Sequence, residues 1–170
     1  MKKLFLILAV IFIGSIAQAQ TKVGTIDAEY ILQQMPEMVQ VQEGVSAYNK
    51  QLQDTLQGDI KKYEVLVGEY QKNNTTYTEE EKAAKESEII ALENDIKNFR
   101  QKASVLIQLK NNELAKPLYI KIDEAMQAVI KEGSYTHIWN GTATGLAFAD
   151  VKYDITDAVM AKMGITVKTE

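Results

Sequence analysis

Between Pro36 and Lys131 apolar residues recur at alternating three- and four-residue steps, and the pattern is interrupted once, at Asn73-Asn74-Thr75-Thr76-Tyr77-Thr78. That spacing keeps one face of an α-helix apolar. A break this short folds two helices back on each other, so the pattern predicts a helical hairpin over 36–131 with its tip at 73–78. Met38, Val41, Val45, Tyr48 and Leu52 set the stripe of the first helix, and Leu56, Ile60, Tyr63, Val67 and Tyr70 continue it. Successive four-residue steps from Leu52 through Leu56 to Ile60 mark a stutter, which locally unwinds a supercoil. The second helix carries Ile89, Leu92, Ile96, Phe99, Ala103 and Leu106, then Ile122, Met126 and Val129. Pro117 lies between these two sections and should kink the helix near 112–116, because it lacks a backbone donor. At 1.5 Å per residue the two helices span roughly 55 and 80 Å.

Local signals mark the ends of each element. Lys22 to Asp27 has strand character through Val23 and Ile26, and Asp27 can cap a short helix over 28–34. Pro36 suits the first turn of the arm, with Glu37 facing the positive end of the helix dipole. Gly44, Gly58 and Gly68 fall inside the first helix, each costing about 1 kcal/mol relative to alanine; a pliable arm and solvent-facing positions without consequence both account for them. Thr78 and Glu81 form a capping box, supported by Glu79 and Glu80. Gly133 is placed to end the second helix in the left-handed conformation. Two strands then follow, over 135–140 and 145–149, joined as a hairpin by the turn 141–144. Asp154 caps a last helix over 155–163, Gly164 stops it, and the tail 165–170 adds an extended piece.

The first twenty residues follow a different pattern. Lys2 and Lys3 precede an apolar run from Leu4 to Ile16, and Ala17-Gln18-Ala19 has the small-x-small form of a cleavage site. Residues 1–19 therefore read as a secretory signal peptide cut after Ala19, since a membrane anchor wants about twenty apolar residues and no such site. The chain has no cysteine, hence no disulfide and no lipid-bearing N-terminal cysteine. Its 19 basic and 23 acidic residues become 17 and 23 once Lys2 and Lys3 are lost. A mature charge of about −6 argues against a nucleic-acid partner and limits membrane contact to the periphery.

Catalytic chemistry is not evident. His137, the single histidine, sits in a strand-like segment beside Ile138 and Trp139 and reads as structural. Gly141-Thr142-Ala143-Thr144-Gly145 lacks the lysine and following helix of a phosphate loop. Glu79-Glu80-Glu81 is better explained by a solvated helix start than by a metal site. The expectation is no enzyme, no cofactor and no metal.

Outside the arm, residues 20–35 and 132–170 form a body too small to be stable alone, and its few strands leave edges that need partners. Self-association solves both problems, with Val23, Ile26, Ile138, Trp139, Leu146 and Phe148 expected to be buried in the oligomer. Val39, Val65, Ile90 and Ile107 are apolar residues that fall off the hairpin stripe, whereas Tyr70 lies on it.

Taken in order, Val23-Gly24-Thr25-Ile26-Asp27, Tyr30-Ile31-Leu32, Met35-Pro36-Glu37, a long hairpin, His137-Ile138-Trp139-Asn140 and Asp154-Ile155-Thr156-Asp157 with Val159 resemble the Skp/OmpH family of periplasmic chaperones. The resemblance spans essentially the whole mature chain. It implies a jellyfish-like homotrimer: a β-rich body joins three subunits, and their arms enclose a cavity for unfolded outer-membrane β-barrel proteins, held in the periplasm without ATP. Weak apolar contacts repeated over several arms, with Val39, Val65, Tyr70, Ile90 and Ile107 as the candidates for contact with the client, would hold it by multivalency. One departure concerns charge. The best-known family members have strongly basic arms, whereas Pro36 to Glu132 here carries 13 basic and 17 acidic residues, so no lipid-binding residues are carried over. The rival reading is a structural coiled-coil adaptor of a cell-envelope export assembly, although the barrel or lipoyl-like domains expected beside its hairpin are not evident.

Overall fold

The computed structural model describes residues 21–142 and 146–166; the signal segment 1–19 lies outside the described residues, as do part of the 141–144 turn and the end of the tail. In chain order the elements are β1 (Val23–Ile26), α1 (Ala28–Gln34), α2 (Met38–Asn73), α3 (Glu79–Gly133), β2 (His137–Asn140), a 3-10 turn (Val151–Tyr153) and α4 (Thr156–Lys162). The protein is mainly helical, with a long antiparallel hairpin and a small two-stranded sheet. Two compact units divide it: one is Leu32–Lys121, and the other contains the described residues up to Ile31 and those from Ile122 onward.

In the second of these units β1 is the organising element. It pairs in parallel with β2, Val23 opposite His137 and Ile26 opposite Asn140, and Gly141 N–H extends the ladder to Ile26 O at 2.7 Å. On its other side Thr25 bridges to Asp154, and its carbonyl accepts from Ile155 N–H at 2.8 Å. The hairpin expected between 135–140 and 145–149 is therefore not formed: 135–140 supplies β1's partner, and 146–150 carries no secondary structure. Leu146 and Phe148 alternate as a strand would, but β1 has both edges engaged and offers them no ladder. The most deeply buried side chains are Ile31, Ile155, Val159 and Met160, each no more than 2% exposed. Burial of side chains of this size contributes about 1.5–3 kcal/mol each. Asp27 caps α1 as expected, its Oδ1 accepting from Tyr30 N–H. Asp154, expected to cap the last helix, lies one residue before its N-cap, Ile155; its Oδ1 accepts from Thr156 N–H at 2.8 Å, and Thr156 Oγ1 accepts from Asp27 N–H.

Both helix ends in this unit close by the same device. At α4, Gly164 is left-handed (φ 71°), with Ile165 N–H on Met160 O and Gly164 N–H on Ala161 O, the doubled bond pattern of a Schellman cap. At α3 the left-handed residue is Ser134 (φ 51°), one position after the glycine expected there, with Tyr135 N–H on Ile130 O. Gly133 instead remains helical, and the Tyr135 ring folds back over it so closely that a Cβ there would run into that ring. Lys22 fixes the corner: its Nζ donates to Gly133 O at 2.7 Å and lies 4.1 Å from the centre of the Tyr135 ring.

In the hairpin unit, contacts step down one helix as they step up the other. Glu37 pairs with Lys121, Gly44 lies against Leu114, Lys110 sits over Tyr48, and Tyr70 O–H donates to Glu86. Val41, Leu52 and Leu66 from α2 and Ile96, Ala115 and Leu118 from α3 form the buried seam. The sequence stripe reaches Val67, but the seam takes Leu66, two heptads on from Leu52. Each four-residue step of the stutter rotates the stripe by about 40°, and the heptad position returns it to the partner helix. Pro117 does not interrupt α3, which runs unbroken from Glu79 to Gly133. Its ring is on the exposed side, between buried Ala115 and Leu118, where water can take the carbonyl that its missing N–H leaves free. The glycines separate into two kinds: Gly44 makes room for Leu114, whereas nothing lies within 4 Å of a Cβ at Gly58 or Gly68.

These corners predict opposite outcomes for neighbouring substitutions. Ser134→Gly should stabilise by about 1 kcal/mol by relieving a left-handed side chain, whereas Gly133→Ala should cost about 1–3 kcal/mol through overpacking against Tyr135. Gly58→Ala should add about 0.5–1 kcal/mol. Urea unfolding midpoints at one protein concentration check all three.

Candidate functional site

Among the described residues no group of three His, Cys, Asp or Glu side chains is placed to hold a metal ion, and no described helix is long and apolar enough to cross a membrane. His137 is exposed on β2, with Nδ1 3.1 Å from Thr136 Oγ1. Two of the three glutamates at the start of α3, Glu79 and Glu81, have local partners. Glu79 pairs with Lys82 at 2.7 Å, and Thr78 N–H donates to Glu81 while Glu81 N–H donates to Thr78 Oγ1, closing the capping box. The Thr78 N–H, followed by its hydroxyl, holds the Glu81 carboxyl below the ordinary carboxylate range. The Lys82 hydrogen bond does the same for Glu79. Beside them the Tyr70 ring stacks on Tyr77 at 6.3 Å, and its bond to Glu86 raises the phenol pKa. What the surface offers is shape and apolarity.

The first apolar surface belongs to the β1–β2 unit. A half-open cavity of about 890 Å³ is lined by Val23, Trp139, Leu146 and Phe148, with Lys22 and Asp150 also in its wall. These apolar side chains stay well exposed, Trp139 at 57 % and Phe148 at 83 %. Of the six residues expected to join subunits, the structure gathers these four around one space. Ile138 is half-buried, and Ile26 is buried within the chain at 4 %, so its burial needs no partner. Among the described residues the outer edge of β2 has no strand beside it.

The second surface runs along the hairpin. Val39, Val65 and Ile90 are exposed, while Tyr70 and Ile107 are half-buried. Val65 stands over a shallow groove between α2 and α3 whose rim carries Glu69, Glu88 and Asp95 against Lys62. Sequence reasoning missed Val105, Leu109, Tyr119 and Ile120, all exposed on α3. The i, i+4 spacing of Val105 and Leu109 is the signal that could have found them, had a second stripe been sought beside the one that forms the seam.

A family described as outer membrane protein (OmpH-like) matches residues 22–163 of this chain. The chain belongs to the OmpH-like family. Its fold is similar to the crystal structure of a candidate outer membrane chaperone (OmpH-like) from Caulobacter crescentus CB15, with a TM-score of 0.57 and 18% identity, over 91% of this chain and 90% of that one. No curated protein matches. Membership in this family supports a chaperone role.

The tip geometry gives a local prediction. Thr78→Ala should raise hydrogen-exchange rates over 79–82 by about fivefold, the effect of losing a cap worth roughly 1 kcal/mol. Because the carboxyl pKa of Glu81 is lowered by folding, its contribution is complete above the ordinary carboxylate range. It is lost as pH falls through the lower folded value, so an acid titration of exchange at 79–82 should show the same loosening in the wild type and little further change in Thr78→Ala.

Proposed function

We propose that the mature chain is an ATP-independent holdase of the periplasm that binds unfolded outer-membrane β-barrel proteins and prevents their aggregation. The observation that carries this reading is the hairpin surface: apolar side chains repeated along a long helical arm, outside any enclosed pocket, in a chain of the OmpH-like family. A β-barrel precursor in water exposes apolar side chains and unpaired strand edges. Many weak contacts suit such a client better than one tight site.

Several arms acting together require an oligomer, and we assign its assembly to a body of residues 20–35 and 132–170, from which the 36–131 arm extends. The exposed cluster of Val23, Trp139, Leu146 and Phe148 beside an unpaired strand edge supports subunit joining there. Three subunits enclosing a cavity between their arms is the arrangement proposed, with export directed by residues 1–19 and cleavage after Ala19.

Trp139 is the only tryptophan, which makes assembly directly visible. Light scattering coupled to size exclusion should give the mass of a trimer, and Trp139 emission should shift to the blue as protein concentration rises through the assembly range. A urea-unfolded outer-membrane β-barrel diluted into the protein should then stay in solution without nucleotide. A stable monomer, or aggregation unchanged at several-fold excess of protein, would sink the proposal.

A further inference from the structure

The five large apolar residues that α3 exposes lie on one side of it. At about 100° per residue, Ile90, Val105, Leu109, Tyr119 and Ile120 fall within a sector of about 120°. The residues that meet α2, among them Lys110, Leu114 and Lys121, lie on the opposite side. Every residue of that sector from Ala83 to Ile120 is exposed. None is acidic, although the hairpin as a whole has more acids than bases. Over the same length Glu86, Glu88, Glu93, Asp95 and Glu113 all fall on the flanks. The only charges inside the sector are Lys102 and Lys116; Asn94, Asn98, Gln101, Gln108 and Asn112 supply much of the rest. Glu80 closes the face toward the tip and Asp123 toward the root, leaving roughly 55 Å of helix between them.

We infer that this face of α3 is where the arm binds its client, and that the client segment it takes is an extended, unfolded stretch of polypeptide of neutral to acidic charge. The inference rests on the holdase reading and names its contact surface. Each feature of the face matches that occupant. Carboxamides both donate and accept, so they can pair with the backbone N–H and C=O groups that an unfolded strand leaves open and a folded barrel does not. The apolar side chains are spaced along the helix without a pocket, which suits a chain with no fixed side-chain order. The two lysines, with no acid among them, attract acidic segments that the net charge of the arm would repel. The groove under Val65, with three carboxylates on its rim, lacks this last property.

The test compares two variants of the full mature protein with the same charge change at the same spacing: Val105→Glu with Leu109→Glu on this face, and Gln53→Glu with Gln57→Glu on exposed positions of α2. Holding of a urea-diluted outer-membrane β-barrel is read by light scattering, with circular dichroism to establish that both variants remain helical. Loss of two apolar contacts and gain of two acids should raise the protein needed for half-suppression by about tenfold for the first pair and leave the second unchanged. A photo-reactive side chain at position 105 should cross-link to the client, and one at position 57 should not. Equal holding by the two variants, or cross-links from position 105 to another copy of the chain in place of the client, overturns the inference while the holdase reading stands. Failure of the wild type to suppress aggregation overturns that reading itself.

Discussion

Four residues of backbone close the longest loop in the molecule. Val23–Ile26 takes β2 on one edge and Asp154 with Ile155 on the other, so segments that flank the whole hairpin in sequence meet at one short strand. The entropy of closing such a loop grows only slowly with its length, yet a four-residue ladder does not offset it alone. The remainder comes from the buried Ile31, Ile155, Val159 and Met160, and from Lys22, which engages the last carbonyl of α3 and the Tyr135 ring together. Removing β1 would leave α3 and α4 without a common support.

The hairpin is held differently. Its seam contains few fully buried side chains for its length, and its ion pairs, such as Lys50–Asp54 and Lys110–Glu113, are exposed and local. Pairs of that kind contribute about 0–1 kcal/mol. Helix propensity, the capping box and a thin apolar stripe therefore carry the arm, with open glycines at Gly58 and Gly68. An arm built in this way opens locally at lower cost than a compact core does.

Charge shows why totals mislead for a long helix. The excess of acids over Pro36 to Glu132 describes the arm as a whole, but screening over about 8–10 Å confines each charge to its own neighbourhood. Acids on the flanks of α3 and around the Val65 groove keep the arm soluble without entering its most apolar exposed sector.

By itself the sequence determined whatever depends on neighbours along the chain. The hairpin and its tip followed from a 3.6-residue period and a polar break, and the caps at Asp27 and Thr78 from side chains that reach only three residues. Most of the seam was legible for the same reason. Tertiary structure decided what depends on partners distant in sequence. It chose β1 as the partner of His137–Asn140, because a strand's pairing is set by which edge is free and the alternation in 146–149 cannot say. It placed the left-handed residue at Ser134 and gave Gly133 a different task, leaving room for the Tyr135 ring. It selected Leu66 over Val67, because the facing helix fixes the axis to which the stripe must return. Finally, it separated apolar residues that fill the seam from those left on the surface: periodicity marks a face as apolar, and only the position of the second helix shows which face is covered.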